Sequence, residues 1–233
     1  MAESRIIVLT NDDGAGAPGL EALKRAVGDL GLCRVVAPAG PRSGCGHAVS
    51  TGRSIAIHNL EDGDYAIDGT PADCARMAID FLVPEATLVL SGINAGGNLG
   101  VDVYHSGTVA AAREAVLHGL PAIAFSRYIA RDREVDWNQT ERWTADVLRK
   151  LLEKPIERGA FWNVNFPHRE SGDDFPEIVY CELDLSPLPL SYRVEGGFAN
   201  YQGDYHGRAR RPGGDIDVCL SGRIAATLVR LKL

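Results

Sequence analysis

The sequence predicts an α/β fold: a doubly wound, mostly parallel sheet with a β-rich C-terminal appendage. Three observations predict it. Apolar runs such as Ile6 to Leu9 and Thr87 to Leu90 are short and do not alternate with polar residues, as in strands covered on both faces. Segments with apolar residues at helical spacing separate them. The order is strand, helix, strand through the first two thirds of the chain, which folds most simply into a right-handed parallel sheet.

Ile6 to Leu9 is the first strand. Pro18, after the loop 11–17, suits a helix start because its missing N–H has no helical partner there. Leu20, Leu23, Val27 and Leu30 carry that helix, and Gly31 ends it. Cys33 to Ala37 is the second strand, and a polar, Gly-rich loop covers 38–52. Ser54 to His58 and Tyr65 to Ile67 form a short hairpin around Glu61, Asp62 and Gly63. Thr70 caps a helix that opens at Pro71 and runs to Phe81. Thr87 to Leu90 is a buried strand, and the loop 91–105 leads to a helix from Thr108 to His118. Ala122 to Phe125 is a further strand, and Trp143, Val147, Leu148, Leu151 and Leu152 mark a long amphipathic helix. Phe161 to Phe166, Ile178 to Leu183 and Arg223 to Leu233 are strands. Residues 184–215, rich in Pro, Gly, Tyr and Arg, keep no period and read as a surface appendage or an arm that packs on another subunit.

The 233 residues suit one domain spanning 1–233 with a sizeable core. A formal charge of −7 argues against a partner such as duplex nucleic acid, which calls for clustered Lys and Arg. No basic leader precedes an apolar segment, and no stretch approaches the ~20 apolar residues of a membrane span, so a cytoplasmic protein is expected. The five cysteines are scattered with no C-x-x-C pair, as free thiols rather than a disulfide framework or zinc site.

The chemistry concentrates in four loops. Asn11-Asp12-Asp13-Gly14 follows the first strand. Side chains just past the carboxyl end of such a strand line the ligand crevice of open α/β sheets. Two adjacent carboxylates repel unless a cation or a shared proton relieves them, and oxygen ligands suit a hard divalent metal. An Asx turn or a helix cap is the plainer account. Gly14-Ala-Gly16-Ala-Pro-Gly19 also matches the dinucleotide fingerprint G-x-G-x-x-G, but the paired acids would face the pyrophosphate, and the second strand ends in Val36-Ala-Pro-Ala39 with no ribose-binding acid.

Arg42-Ser43-Gly44-Cys45-Gly46-His47 follows the second strand. Ser43 can give a hydroxyl oxygen to a metal, and Arg42 or His47 can face a phosphate. In Ser91-Gly-Ile-Asn94-Ala-Gly-Gly-Asn98 the glycines let main chain approach a ligand, and Asn94 and Asn98 offer oxygens to a cation or N–H groups to phosphate. Ser106-Gly107-Thr108 opens a helix whose free N–H groups bind phosphate without a lysine. Gly69 to Cys74 caps a helix facing the same rim, and Arg208, Arg210 and Arg211 form a basic knot that reads as a solvated face.

Taken together, Thr10 to Gly14, Val36-Ala-Pro38 with Arg42-Ser43-Gly44, Gly69 to Cys74, Ser91 to Asn94 with Asn98-Leu-Gly100, and Ser106 to Ala112 resemble the SurE family of stationary-phase survival proteins. Asn163 to Pro167 and Asp215 to Thr227 are similar more loosely. The resemblance implies a Rossmann-like core and a metal-dependent phosphatase acting on nucleoside monophosphates as a homodimer or homotetramer, with 184–215 as the oligomerisation arm. It implies one divalent cation per subunit, Mg2+ or Mn2+, on Asp12, Asp13, Ser43 and Asn94, with Asp12 and Asp13 catalytic and the phosphate on Asn98, Ser106, Gly107 and Thr108. It also implies a 5′-nucleotidase whose range can extend to 3′-nucleotides and polyphosphate. Two other readings stay open: an aspartyl-phosphate phosphatase with Asp12 as nucleophile, and a nucleotide sensor without turnover. Family members continue into a C-terminal helix beyond the strand that opens at Arg223, where this sequence ends.

Overall fold

The computed structural model describes residues 5–155, 157–170 and 174–231. Its strands, in chain order, are β1 (Ile6–Thr10), β2 (Leu32–Pro38), β3 (Ile57–Asn59), β4 (Tyr65–Ile67), β5 (Leu88–Ala95), β6 (Ala122–Arg127), β7 (Ala160–Phe166), β8 (Ile178–Tyr180), β9 (Tyr192–Glu195), β10 (Phe198–Tyr201) and β11 (Ile224–Arg230). The helices are α1 (Pro18–Val27), α2 (Pro71–Met77), α3 (Gly107–Leu117), α4 (Trp137–Leu152) and α5 (Asp215–Leu220).

Nine strands form one sheet in the order β3-β4-β2-β1-β5-β6-β7-β11-β8. Every neighbouring pair from β4 to β7 is parallel. Antiparallel pairing enters only at β3–β4 and β7–β11. The expected parallel centre is present, and the β-rich C-terminal part joins it through β11 and β8. From β1 the chain winds one way to β2 and β4, then returns to β5 and winds the other way to β6 and β7. The crevice of such a sheet opens at this reversal, beyond the carboxyl ends of β1 and β5.

Two apolar layers cover the sheet. On one face, Leu20, Leu23 and Val27 of α1 and Trp143, Val147, Leu148 and Leu151 of α4 pack on Ile7, Leu9, Leu90 and Phe125. On the other, Cys74 of α2 and Val109, Ala112, Ala115 and Val116 of α3 pack on Val8, Val36 and Val89. The alanines of α3 let it lie close to the sheet, which puts its N-terminus at the crevice. A third cluster, with Leu99, Tyr128, Ile216 and Val218, ties α5 to the loop after β5.

Several boundaries differ from expectation. α1 stops at Val27, because Gly28 takes φ 50° and a 3-10 turn fills the space to Gly31. α2 stops at Met77 and continues to Leu82 as a π-turn. β5 runs to Ala95, past Leu90: its pairing with β6 slips between Ser91 and Asn94 and then resumes, so Asn94 stands in a strand and not in a free loop. The β9–β10 hairpin and α5 fall in segments without a predicted element. Positive φ at Gly196 and Gly197 supplies the two-residue turn between β9 and β10. All five cysteines are free. Among the described residues no helix is long and apolar enough to cross a membrane. The expected leader-free N-terminus (residues 1–4) and the end of the last strand (232–233) lie outside the described residues.

Candidate active site

The Asx turn after β1 belongs to Asn11, not to the aspartates. The Asn11 side-chain amide donates to Gly14 O at 2.9 Å and its Oδ1 accepts from Gly14 N at 3.1 Å. That turn sends Asp12 and Asp13 into the crevice. Asp12 is buried, and its Oδ1 accepts the Thr108 hydroxyl. It can stand there because Gly107 has no side chain: a Cβ would come within 2.8 Å of Asp12 Cβ. Asp13 is half-buried, with a long 3.5 Å contact from Ala95 N to its Oδ2.

The electrostatics of the pair are unrelieved. Burial raises the Asp12 carboxyl above its ordinary range. The Thr108 hydroxyl and N–H oppose that rise, and the neighbouring Asp13 charge adds to it. Burial raises Asp13 as well. Among the described residues, no ion pair reaches either carboxylate.

The other predicted loops arrive beside them. Arg42 N donates to Asp12 O at 2.7 Å, which sets Ser43 one residue from a direct link to the acid pair. Ser43 is exposed, with its hydroxyl uncommitted. Asn94 precedes Ala95, the residue touching Asp13. Its amide donates to Gly96 O at 2.9 Å and so keeps Oδ1 free to accept or coordinate. At the expected phosphate-binding segment, Ser106 Oγ caps α3 by accepting from Val109 N at 3.1 Å. The Thr108 hydroxyl spends its proton on Asp12. Asn98 is buried: its amide donates to Ser126 Oγ at 2.8 Å, and its main chain is clamped by Asn163 and Asn165 of β7.

Three polar groups sit elsewhere than expected. The Arg42 guanidinium turns to Asp68. His47 turns to Glu114, with Nε2 2.6 Å from Oε2, while Arg113 donates to its Nδ1 at 3.1 Å. Because Arg can only donate, that pairing assigns the proton to Nε2. Both side chains are committed to these partners, and His47 fastens the Ser43 loop to α3. Arg208 is not part of a solvated knot: it is buried and donates to Asp102 Oδ2 at 2.8 Å.

Arg208 belongs to a brace that sequence reading missed. Asp102 Oδ2 also accepts from Leu99 N at 3.1 Å and from the Tyr205 hydroxyl at 2.8 Å. Asp215, fully buried at the start of α5, accepts from Gly100 N at 2.6 Å, Asp184 N at 2.8 Å and Ile216 N at 2.9 Å. The C-terminal segment thus holds the loop between Asn98 and Ser106. No local motif signals the contacts of Asp102 with Tyr205 and Arg208 or of Gly100 with Asp215, since those partners lie over 100 residues apart in sequence.

The donor chemistry fits a hard divalent cation. Two adjacent carboxylates lack a counter-charge, and the Asn94 Oδ1 and Ser43 hydroxyl are uncommitted. Among the described residues, no three His, Cys, Asp or Glu side chains converge as a metal cluster, so a cation here would draw on neutral oxygens beside the two acids. The N-terminus of α3, an end of a helix whose free N–H groups suit an anion, lies immediately next to Asp12.

The chain is similar to known proteins along most of its length. The family model described as survival protein SurE matches residues 7–185. A protein of Nostoc sp. is 51% identical over 97% of this chain and 99% of its own. The 5′-nucleotidase SurE of Pelobacter propionicus is 44% identical over 74% of this chain and 70% of its own. The crystal structure of the SurE protein from Aquifex aeolicus superposes with a TM-score of 0.86 at 30% identity, covering 98% of this chain and 94% of that one. Matched by that family model over residues 7–185 and by a relative 51% identical along nearly its whole length, the chain belongs to the SurE family.

Proposed function

We propose that the chain is a metal-dependent phosphomonoesterase that hydrolyses nucleoside 5′-monophosphates to nucleoside and phosphate. The observation that carries this reading is the contact between Asp12 and the first turn of α3, through the Thr108 hydroxyl and the bare Gly107. It supports setting the proposed cation ligands directly beside the proposed phosphate site. The names of the relatives, 5′-nucleotidase SurE among them, support the reaction class.

Asp12, Asp13, Asn94 through Oδ1 and Ser43 through its hydroxyl would hold one Mg2+ or Mn2+ per subunit. When bound, the cation supplies positive charge to the phosphoryl oxygens and lowers the pKa of water. The chain does the rest. The free N–H end of α3 with Ser106 and Gly107 receives the phosphate oxygens, where fixed donors are most effective as charge develops. Thr108 holds Asp12 in place. Asp13, the more open acid, would orient water toward phosphorus. The Asn163 and Asn165 clamp keeps Asn98 at the rim. A 3′-phosphate or a terminal phosphate of polyphosphate offers the cradle the same group and falls within this chemistry. Assembly belongs to the same proposal: a homodimer or homotetramer joined through 184–215.

Asp12→Asn keeps the acceptor for Thr108 and removes the charge. It should lower metal-dependent phosphate release from AMP by about a hundredfold or more, with an unchanged circular dichroism spectrum. Full activity in that variant would remove Asp12 from the mechanism.

A further inference from the structure

Beside Asp13 the crevice widens into a cleft of about 710 Å3. Its walls are the turn Gly14 to Gly19, the segment Ala39 to Pro41 after β2, Ala95 at the end of β5, and Val135 and Trp137 at the start of α4. Most of the lining residues are small and apolar. Trp137 is its aromatic ring, Asp13 and Glu134 are its charged groups, and no Lys, Arg or His lines it.

The glycines of the fingerprint divide by role. Gly14 needs φ 110°, and a Cβ there would meet the Gly40 main chain at 3.3 Å. A Cβ on Gly19 would collide with Ile93 O, so α1 could not approach β5. Gly16 has neither constraint: its Cβ would meet nothing within 4 Å, and its φ lies outside the left-handed range. Nothing inside the fold requires glycine at 16. Its bareness keeps the cleft wall flat, which is the part the second glycine plays where a ligand must approach main chain. Gly40 is equally unconstrained. Besides Asp13, Glu134 is the acid that lines the cleft.

Building on the phosphomonoesterase reading, we infer that this cleft seats the uncharged nucleoside of the substrate, its base packed on Trp137 and its sugar hydroxyls toward Glu134. Beyond the cation held at the acid pair, a second phosphate there would meet the Glu134 carboxylate and no Lys, Arg or His, so the cleft favours a nucleoside monophosphate over a polyphosphate chain.

The test is Gly16→Phe, which fills the cleft without touching the cradle, with Gly40→Leu as a second block. In folded variants the KM for AMP should rise about tenfold or more, while the inhibition constant of inorganic phosphate, which needs the cradle alone, stays as in the wild type. Wild-type protein should also prefer AMP to tripolyphosphate. An unchanged KM for AMP in both variants overturns the inference, as does a phosphate inhibition constant that shifts in step with KM. If wild-type protein releases no phosphate from AMP, the phosphomonoesterase reading fails on its own. Calorimetric titration with adenosine then decides the cleft: binding that Gly16→Phe abolishes supports it, and no binding overturns it.

Discussion

At the scale of single residues, Asp12 and Asp13 are held at a cost to the metal-free fold. Burial raises both carboxyl groups, and the charge of Asp13 raises Asp12 further. Between the unfolded carboxylate range and the raised folded values, the folded protein holds more protons than the unfolded chain. The stability linked to the pair is therefore full below the unfolded pKa and is lost as pH rises through the folded one. At neutral pH the ionised pair is a net penalty, which a cation bound there as proposed would offset by mass action. In chelator, Asp12→Asn should melt above the wild type, by ~2–4 °C for each kcal/mol relieved in a chain of this size. That gap should widen as pH rises from the carboxylate range to neutrality and shrink or reverse when Mn2+ is added. Differential scanning calorimetry showing the wild type more stable in chelator at pH 7 would contradict this account.

At the scale of elements, the site depends on how closely helices approach the sheet. α1 lies so near β5 that only a hydrogen fits between Gly19 and Ile93 O, one residue before Asn94. Gly19→Ala must push the helix away or distort β5, at about 3 kcal/mol. Gly16→Ala, three residues earlier on the same turn, should stay within about 0.5 kcal/mol of the wild type. Urea midpoints of the two variants give the comparison, and equal midpoints would mean that α1 yields without strain. The same contrast explains why the fingerprint misleads as a string: Gly14 and Gly19 serve the turn and the packing of any strand-to-helix joint, and only Gly16 is left for a ligand. Element starts are the most legible part. Thr70 and Ser106 both cap their helices through main-chain N–H groups three residues on, and Asp73 completes a capping box with Thr70. Element ends are less so, because Gly28 and the β5–β6 slip depend on neighbours that local spacing does not reveal.

At the scale of the molecule, the parallel centre is legible because strands buried on both faces leave unbroken apolar runs, and the site loops follow from where those runs end. The brace of Asp102, Tyr205, Arg208 and Asp215 is not, since its meaning exists only when distant segments meet; Arg208 in isolation resembles any solvated arginine. The hairpin β9–β10 sits between these cases. Its Gly-Gly turn is a recognisable signal, but strands of four residues carry too few alternations to stand out. Register puts Tyr192, Val194, Ala199 and Tyr201 on one face. Val194 is 69% and Tyr192 60% exposed, and the two tyrosine rings meet edge to face at 5.4 Å. A two-stranded hairpin is marginal in water by itself, and an apolar face left in solvent favours association. This supports the proposal that 184–215 joins subunits. Val194→Asp with Tyr192→Asp should reduce the mass found by light scattering to that of one chain. The double variant should leave the melting temperature of the nine-stranded sheet nearly unchanged at low protein concentration, since neither side chain enters its core. An unaltered mass in the double variant, or a wild type that is already a monomer, would assign the arm another role.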